Sequence, residues 1–123
     1  MIYTVPFELS NIKLQSSCGD NPSLNFFCEG QNSCNFGILV FFPNAGKYRA
    51  FVRTRSSDID IYIFPVDKAF TRPPGKGWCC SAYNGGNTDF VVFNINSPCF
   101  LWIVWNAYDY QNGDTLTIGV VNA

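Results

Sequence analysis

The stretch from Tyr48 to Phe64, YRAFVRTRSSDIDIYIF, constrains the fold more than any other part of the sequence. It contains two runs rich in β-branched and aromatic residues, separated by a polar segment. Hydrophobic residues alternate along each run, as they do on strands with one buried face. The pattern predicts a β-hairpin with Val52 opposite Ile61 on the core side. On the outer side, Arg53 then lies opposite Asp60.

Short strands separated by turns are predicted along most of the chain. Residues 37–42 (GILVFF) and 99–106 (CFLWIVWN) are nearly continuous apolar runs, which indicate central strands covered on both faces. Residues 115–121 alternate between apolar and small or polar side chains. No stretch combines a helical period with capping residues. The sequence therefore predicts a single domain over residues 1–123, an all-β, antiparallel β-sandwich of jelly-roll type with seven to nine short strands.

Composition limits the possible functions. The chain is 47% hydrophobic, 17% aromatic and 14% charged, with a net charge of −1. This balance argues against disorder, and against nucleic-acid binding because no basic excess is present to neutralise phosphates. No apolar run reaches the roughly 18 residues that a membrane-spanning helix needs. The N-terminal residues lack the basic and long apolar regions of a signal peptide, which does not decide whether one was removed.

The chain contains six cysteines and no histidine, so the common mixed zinc sites are not expected. An even number of cysteines in a small, loop-rich chain favours three disulfides and an extracellular or surface location. The alternative is the interior of a hyperthermophile. The expected bonds are Cys80 with Cys99, and Cys79 with an N-terminal cysteine. The six predicted disulfide residues are Cys18, Cys28, Cys34, Cys79, Cys80 and Cys99.

Catalysis is not predicted from this set of residues. Without histidine there is no Ser-His or Cys-His pair, and the glutamates, Glu8 and Glu29, both lie in the loop-rich N-terminal third. Asp58 and Asp60 form a candidate calcium site, because carboxylates two residues apart on a strand project to the same side. The favoured interpretation is structural: Asp58 caps the turn, and Asp60 pairs with Arg53 across the hairpin.

Aromatic side chains are predicted to form an interaction surface. Phe51, Tyr62 and Phe64 would form a strip on the outer face of the hairpin, where either a partner or the loop 65–87 covers them. Aromatic residues at the end of the strand 99–106 are a candidate carbohydrate platform or ordinary strand-end packing. The predicted interaction residues are Phe51, Tyr62, Phe64, Trp105, Tyr108 and Tyr110.

The order of these features resembles a known family. A strand and an Ala-Gly turn lead into Asp58-Ile59-Asp60-Ile61-Tyr62, and an aromatic strand precedes the closing segment GDTLTIGV at 113–120. Over roughly residues 37–120 the chain resembles the bacterial and archaeal pre-peptidase C-terminal domain. The resemblance implies a β-sandwich accessory domain of secreted proteins that is not itself an enzyme. Some members of this family bind calcium or fibrous substrates.

Together these observations predict a non-catalytic structural protein that self-assembles with copies of itself, outside the cell or on a virion surface. Low charge and exposed aromatic side chains favour this hypothesis. The alternative is a secreted binding module for glycan or fibrous protein, with calcium as its candidate cofactor. A small secreted enzyme is the least favoured class, because so few acid–base groups are available. Neither a nucleic-acid partner nor a membrane span is expected.

Overall fold

A computed structural model of the chain describes residues 2–13, 25–28, 34–66, 80–82, 87–109 and 113–123. Within these residues the chain forms ten β-strands and no helix, and hence no helix that could span a membrane. Three of the strands have only three or four residues, which is why the sequence pattern predicted fewer. The strands are β1 (Ile2–Thr4), β2 (Phe7–Lys13), β3 (Asn25–Cys28), β4 (Cys34–Phe42), β5 (Gly46–Thr54), β6 (Asp58–Pro65), β7 (Cys80–Ala82), β8 (Thr88–Ile95), β9 (Cys99–Asp109) and β10 (Thr115–Asn122).

The strands form two sheets that pack face to face. Sheet A has the order β1-β4-β9-β6-β7, and β3 also pairs with β4. Sheet B has the order β2-β10-β5-β8. Strand β1 runs parallel to β4, whereas the other described pairs are antiparallel. The predicted all-β sandwich is therefore confirmed.

The core lies between the sheets and consists of alternate residues of the long strands. The two apolar runs predicted as central strands are β4 and β9, which are neighbours in sheet A. Sheet B contributes Leu116, Ile118 and Val120, each at most 2% exposed, as the alternation in this segment predicts. Burial of these apolar side chains is the main stabilising contribution to such a fold, at roughly 25 cal/mol per Å².

The predicted hairpin between Tyr48 and Phe64 is wrong. Strand β5 lies in sheet B and β6 lies in sheet A, so the segment between them is an arch that joins the two sheets. Val52 pairs with Ile118 of β10. Ile61 pairs with Trp105 of β9. Apolar and polar side chains alternate along strands that face each other across a core, just as they do along the strands of a hairpin. The pattern alone therefore does not distinguish packing between two sheets from pairing within one sheet.

The connection from β9 to β10 also crosses between the sheets. Gly113, just before β10, has a φ of 87°, a left-handed conformation that glycine adopts without strain. Asp114 follows it and is 6% exposed. The two arches thus meet at one end of the sandwich, where Asp114 contacts the segment between β5 and β6.

Candidate functional site

The aromatic strip predicted from Phe51, Tyr62 and Phe64 does not form, because its members lie on different sheets. Phe51 is on the outer face of sheet B and is 7% exposed. Tyr62 and Phe64 are on the outer face of sheet A, where they pack with Val104 and Trp102 and are 8% and 6% exposed. These three side chains are therefore not available as one contact surface.

The prediction for Trp105 is also wrong. Its side chain is 0% exposed and lies in the core between the sheets. The indole Nε1–H donates a hydrogen bond to the Phe51 carbonyl oxygen at 3.2 Å, which ties sheet A to sheet B. A buried tryptophan needs such an acceptor, so its role is structural. The side chains of Tyr108 and Tyr110 lie outside the described residues.

The arch between β5 and β6 is held by side chains that hydrogen-bond to the backbone. Asp114 Oδ2 accepts hydrogen bonds from the Ser57 hydroxyl at 2.7 Å and from the Ser56 backbone N–H at 3.0 Å. The Thr54 hydroxyl donates to the Ser57 carbonyl oxygen at 2.7 Å and accepts from its N–H at 3.1 Å. Burial opposes ionisation of Asp114. The hydrogen bonds that its carboxylate accepts from Ser56, Ser57 and the Thr115 N–H outweigh this effect and hold its pKa below the usual value. Asp114 thus helps to organise this turn from a distant part of the sequence.

Asp60 does not pair with Arg53, contrary to the prediction. It is 8% exposed and lies opposite Asn106 in the ladder between β6 and β9. Burial, followed by the charges of Asp58 and Asp89, raises its pKa from 3.8 to about 7. The described residues contain no group of three or more His, Cys, Asp or Glu side chains that could hold a metal ion. The candidate calcium residues, Asp58 and Asp60, therefore lie in an acidic region without an assembled ligand shell among the described residues.

The outer face of sheet B carries a shallow depression of about 280 Å³, which we call the sheet-B depression. Phe51 lies in its floor, directly opposite Gly119 of β10. A Cβ at Gly119 would lie 2.5 Å from the Phe7 carbonyl oxygen and 2.8 Å from the Phe51 ring, so glycine makes room for both on this strand. The Arg53 guanidinium lies 4.9 Å from the ring centroid, and its Nη2 donates to Glu8 Oε1 at 3.3 Å. The depression is lined by Glu8, Arg49, Phe51, Arg53, Thr88, Phe90 and Val121.

The rim of the sheet-B depression is more exposed than its floor. Phe90 of β8 lies opposite Phe51 and is 55% exposed. The Arg49 guanidinium lies 6.0 Å from the Phe90 ring centroid. Val92, two residues further along β8, is 44% exposed on the same face. Two large apolar side chains therefore lie next to each other on the strand at the edge of sheet B.

The expected bond between Cys80 and Cys99 is not present. Cys99 is a free thiol in β9, and burial raises its pKa. Its backbone pairs with Phe42 of β4, whereas Cys80 pairs with Ile63 of β6. Nothing is described of the side chains of Cys28, Cys34 and Cys80, and Cys18 and Cys79 lie outside the described residues altogether.

Comparison with known proteins tests the fold. No family model matches the chain, and no curated protein matches it. Among solved structures, it is similar to the pre-peptidase C-terminal domain of a collagenase from Bacillus anthracis. The TM-score is 0.53, and the match covers 98% of this chain and 94% of that chain at 13% sequence identity. The chain has a pre-peptidase C-terminal-like fold. The resemblance inferred from the sequence is confirmed as a likeness of fold.

Sequence reasoning missed two features of this pre-peptidase C-terminal-like sandwich. The first is the role of Asp114, for which the only local signal is an aspartate directly before a strand. The second is the exposed pair Phe90 and Val92. Their segment, TDFVVFNI, alternates only in part, so the pattern did not show which face is buried.

Proposed function

We propose that the protein is a non-catalytic module that works outside the cell or on a virion surface, and that its partner is a further copy of itself. The observation that carries this proposal is the exposed apolar pair Phe90 and Val92 on the edge strand β8. Apolar side chains grouped on an accessible strand favour contact with protein. With a net charge of −1, copies of the chain repel each other little.

The arrangement of acidic groups supports a role without catalysis. A carboxyl with a pKa near 7, such as Asp60, is typical of acid–base catalysts. However, Asp60 lines neither the sheet-B depression nor the larger depression beside Cys99 and Leu101. A catalytic acid must reach its substrate. Among the described residues, Asp60 is therefore better explained by burial in the strand ladder than by chemistry.

The alternative is that the module binds glycan or fibrous protein through the sheet-B depression. Exposed aromatic rings and guanidinium groups are suited to sugar rings and to polar groups on a protein surface. The similar solved structure is a domain of a collagenase, which supports an extracellular location and keeps fibrous protein as a candidate ligand. The depression is small and open, so binding of glycan or fibrous protein is less favoured than self-association.

The test of the proposal is the size of the purified, non-reduced protein. Chromatography with light scattering and negative-stain microscopy would be run with calcium and with a chelator, because Asp58 and Asp60 retain the spacing of a carboxylate pair. We expect masses above the 13.8 kDa of one chain, or ordered assemblies, in both conditions. A monomer at every concentration would refute self-association and would favour screens for glycan and collagen binding.

A further inference from the structure

Strand β8 lacks several of the features that usually protect the edge of a sheet. Within the described part of the chain, β8 pairs with β5 on one side and with no strand on the other. Natural edge strands are usually blunted by lysine, proline, bulges, short length or an inward-pointing charged residue. The eight residues of β8, TDFVVFNI, include no lysine or proline, and the register with β5 is continuous. Asp89, the one charged residue of β8, points inward at 2% exposure, and its Oδ1 accepts a hydrogen bond from the Phe90 backbone N–H at 2.9 Å. It therefore leaves the outward apolar side chains of β8 uncovered.

The sequence of β8 is complementary to itself when two copies run antiparallel. With Val91 opposite Val91 of a second copy, each Phe90 lies opposite the second copy's Val92. Directly opposed side chains in an antiparallel pair lie on the same face of the sheet. The two exposed large apolar side chains of β8 would then cover each other twice, and Thr88 would lie opposite Asn94 at either end. Aromatic and β-branched residues are favourable cross-strand partners.

We propose that β8 pairs antiparallel with β8 of a second copy about a twofold axis at Val91. The two four-stranded B sheets then become one continuous sheet of eight strands. This inference rests on the proposed self-association and names the surface that carries it. The contact is isologous, so it closes as a dimer rather than extending as a filament.

Other registers satisfy the strand less well. A shift of one β8 strand by a single residue relative to the other places outward side chains opposite inward ones, which a pleated sheet does not permit. A shift by two residues in one direction places Phe90 opposite the polar Asn94, and in the other direction it places Phe90 opposite Phe90 and Val92 opposite the polar Thr88. Of these registers, the one centred on Val91 is the one in which both Phe90 and Val92 have an apolar side chain directly opposite.

Electrostatic repulsion does not oppose this pairing. Arg49 and Arg53 lie on β5, one strand inward from the edge. In the joined sheet, equivalent β5 strands are three strand spacings apart, about 14 Å at roughly 4.8 Å per spacing. This exceeds the Debye length of about 8 Å at physiological ionic strength, so the arginines of the two copies are largely screened from each other.

The first test compares two lysine substitutions at exposed apolar positions. Val92→Lys places a charge in the proposed contact, whereas Phe100→Lys places one on β9, a central strand of sheet A where Phe100 is 42% exposed. Sedimentation equilibrium would give the dissociation constant of each variant, and circular dichroism would confirm its fold. We expect Val92→Lys to weaken association at least tenfold, and Phe100→Lys to leave it within twofold of wild type.

A second test reports the register without a charged variant. p-Benzoylphenylalanine in place of Phe90 is irradiated in a mixture of isotope-labelled and unlabelled copies, and crosslinks between copies are mapped by mass spectrometry. We expect the crosslink at or next to Val92 of the other copy. A crosslink outside β8, or association unchanged by Val92→Lys, would overturn the β8 contact while self-association stands. A wild-type protein that stays monomeric would overturn both proposals.

Discussion

Replacing Asp60 with asparagine is expected to stabilise the folded protein at and above neutral pH. Asp60 is 8% exposed on β6, and the charges of Asp58 and Asp89 lie near it. Burial, then these two carboxylates, raises its pKa from 3.8 to about 7. Asparagine resembles the neutral carboxylic acid in shape and carries no charge, so it fits the same environment without repulsion.

The sign and size of the effect follow from the linkage between protonation and folding. Between pH 4 and 7 the folded chain keeps a proton on Asp60 that the unfolded chain has released, so stability falls as the pH rises through this window. A pKa raised from 3.8 to about 7 corresponds to roughly 4 kcal/mol over the whole window. Relative to wild type, Asp60→Asn should therefore gain about 2 to 4 kcal/mol between pH 4 and pH 8.

Urea denaturation followed by tryptophan fluorescence measures this difference, because the chain has three tryptophans. Both proteins would be unfolded at intervals from pH 3 to 8, and the difference in the free energy of unfolding plotted against pH. The difference cancels the titration of the carboxyls that do not interact with Asp60, which leaves Asp60 and its neighbours Asp58 and Asp89. A flat difference over the whole range would refute the argument that Asp60 is held in its neutral form.

Asp114→Asn is the matched control, because the environment of Asp114 has the opposite effect. Its carboxylate accepts hydrogen bonds from Ser56, Ser57 and Thr115, and its pKa is lowered. This stabilisation is present above pH 3.8 and is lost as the pH falls through the lowered pKa. We expect Asp114→Asn to cost about 1 to 3 kcal/mol at pH 7, and the cost to shrink in acid. A gain in stability at pH 7 would contradict the role assigned to Asp114.

Three further predictions concern packing and covalent structure. Gly119→Ala should lower the free energy of unfolding by about 1 to 3 kcal/mol, since its methyl group would lie 2.5 Å from the Phe7 carbonyl oxygen and 2.8 Å from the Phe51 ring; an unchanged melting temperature would contradict this. Trp105→Phe should cost about 1 to 3 kcal/mol, because it removes the donor to the Phe51 carbonyl and leaves a void; full stability in urea would show that this bond contributes nothing. Cys28 and Cys34 are directly opposite on β3 and β4, so we expect them to form a disulfide after oxidation. Peptide mass mapping without reductant would show the linked pair, or two alkylated thiols if the expectation is wrong.

The positions of the strands and of much of the core could be predicted from the sequence. The apolar runs in β4 and β9 have no polar face, which places them centrally in a sheet. In β10, alternate residues Leu116, Ile118 and Val120 are buried as predicted. Side-chain alternation reports which residues face the core, and that information is local.

The pairing of the strands could not be predicted in the same way. Strands β5 and β6 pair with β10 and β9, which are distant in sequence, rather than with each other. Asp114, also distant in sequence, accepts hydrogen bonds from Ser56 and Ser57 in the arch between them. The interaction surface was mispredicted for the same reason. The sequence predicts Phe51 beside Tyr62. In the structure, the Phe51 ring lies between the Arg53 guanidinium and Gly119 of β10, a strand that is far away in the sequence.

The most direct test of the account is the mass of the wild-type protein in solution as its concentration is raised. Sedimentation equilibrium from micromolar to millimolar concentration, in physiological salt, would follow the change from one chain to two. The account predicts a mass that rises from 13.8 kDa towards twice that value, and that Val92→Lys moves this rise to at least tenfold higher concentration. A mass of 13.8 kDa for wild type at all concentrations would contradict it.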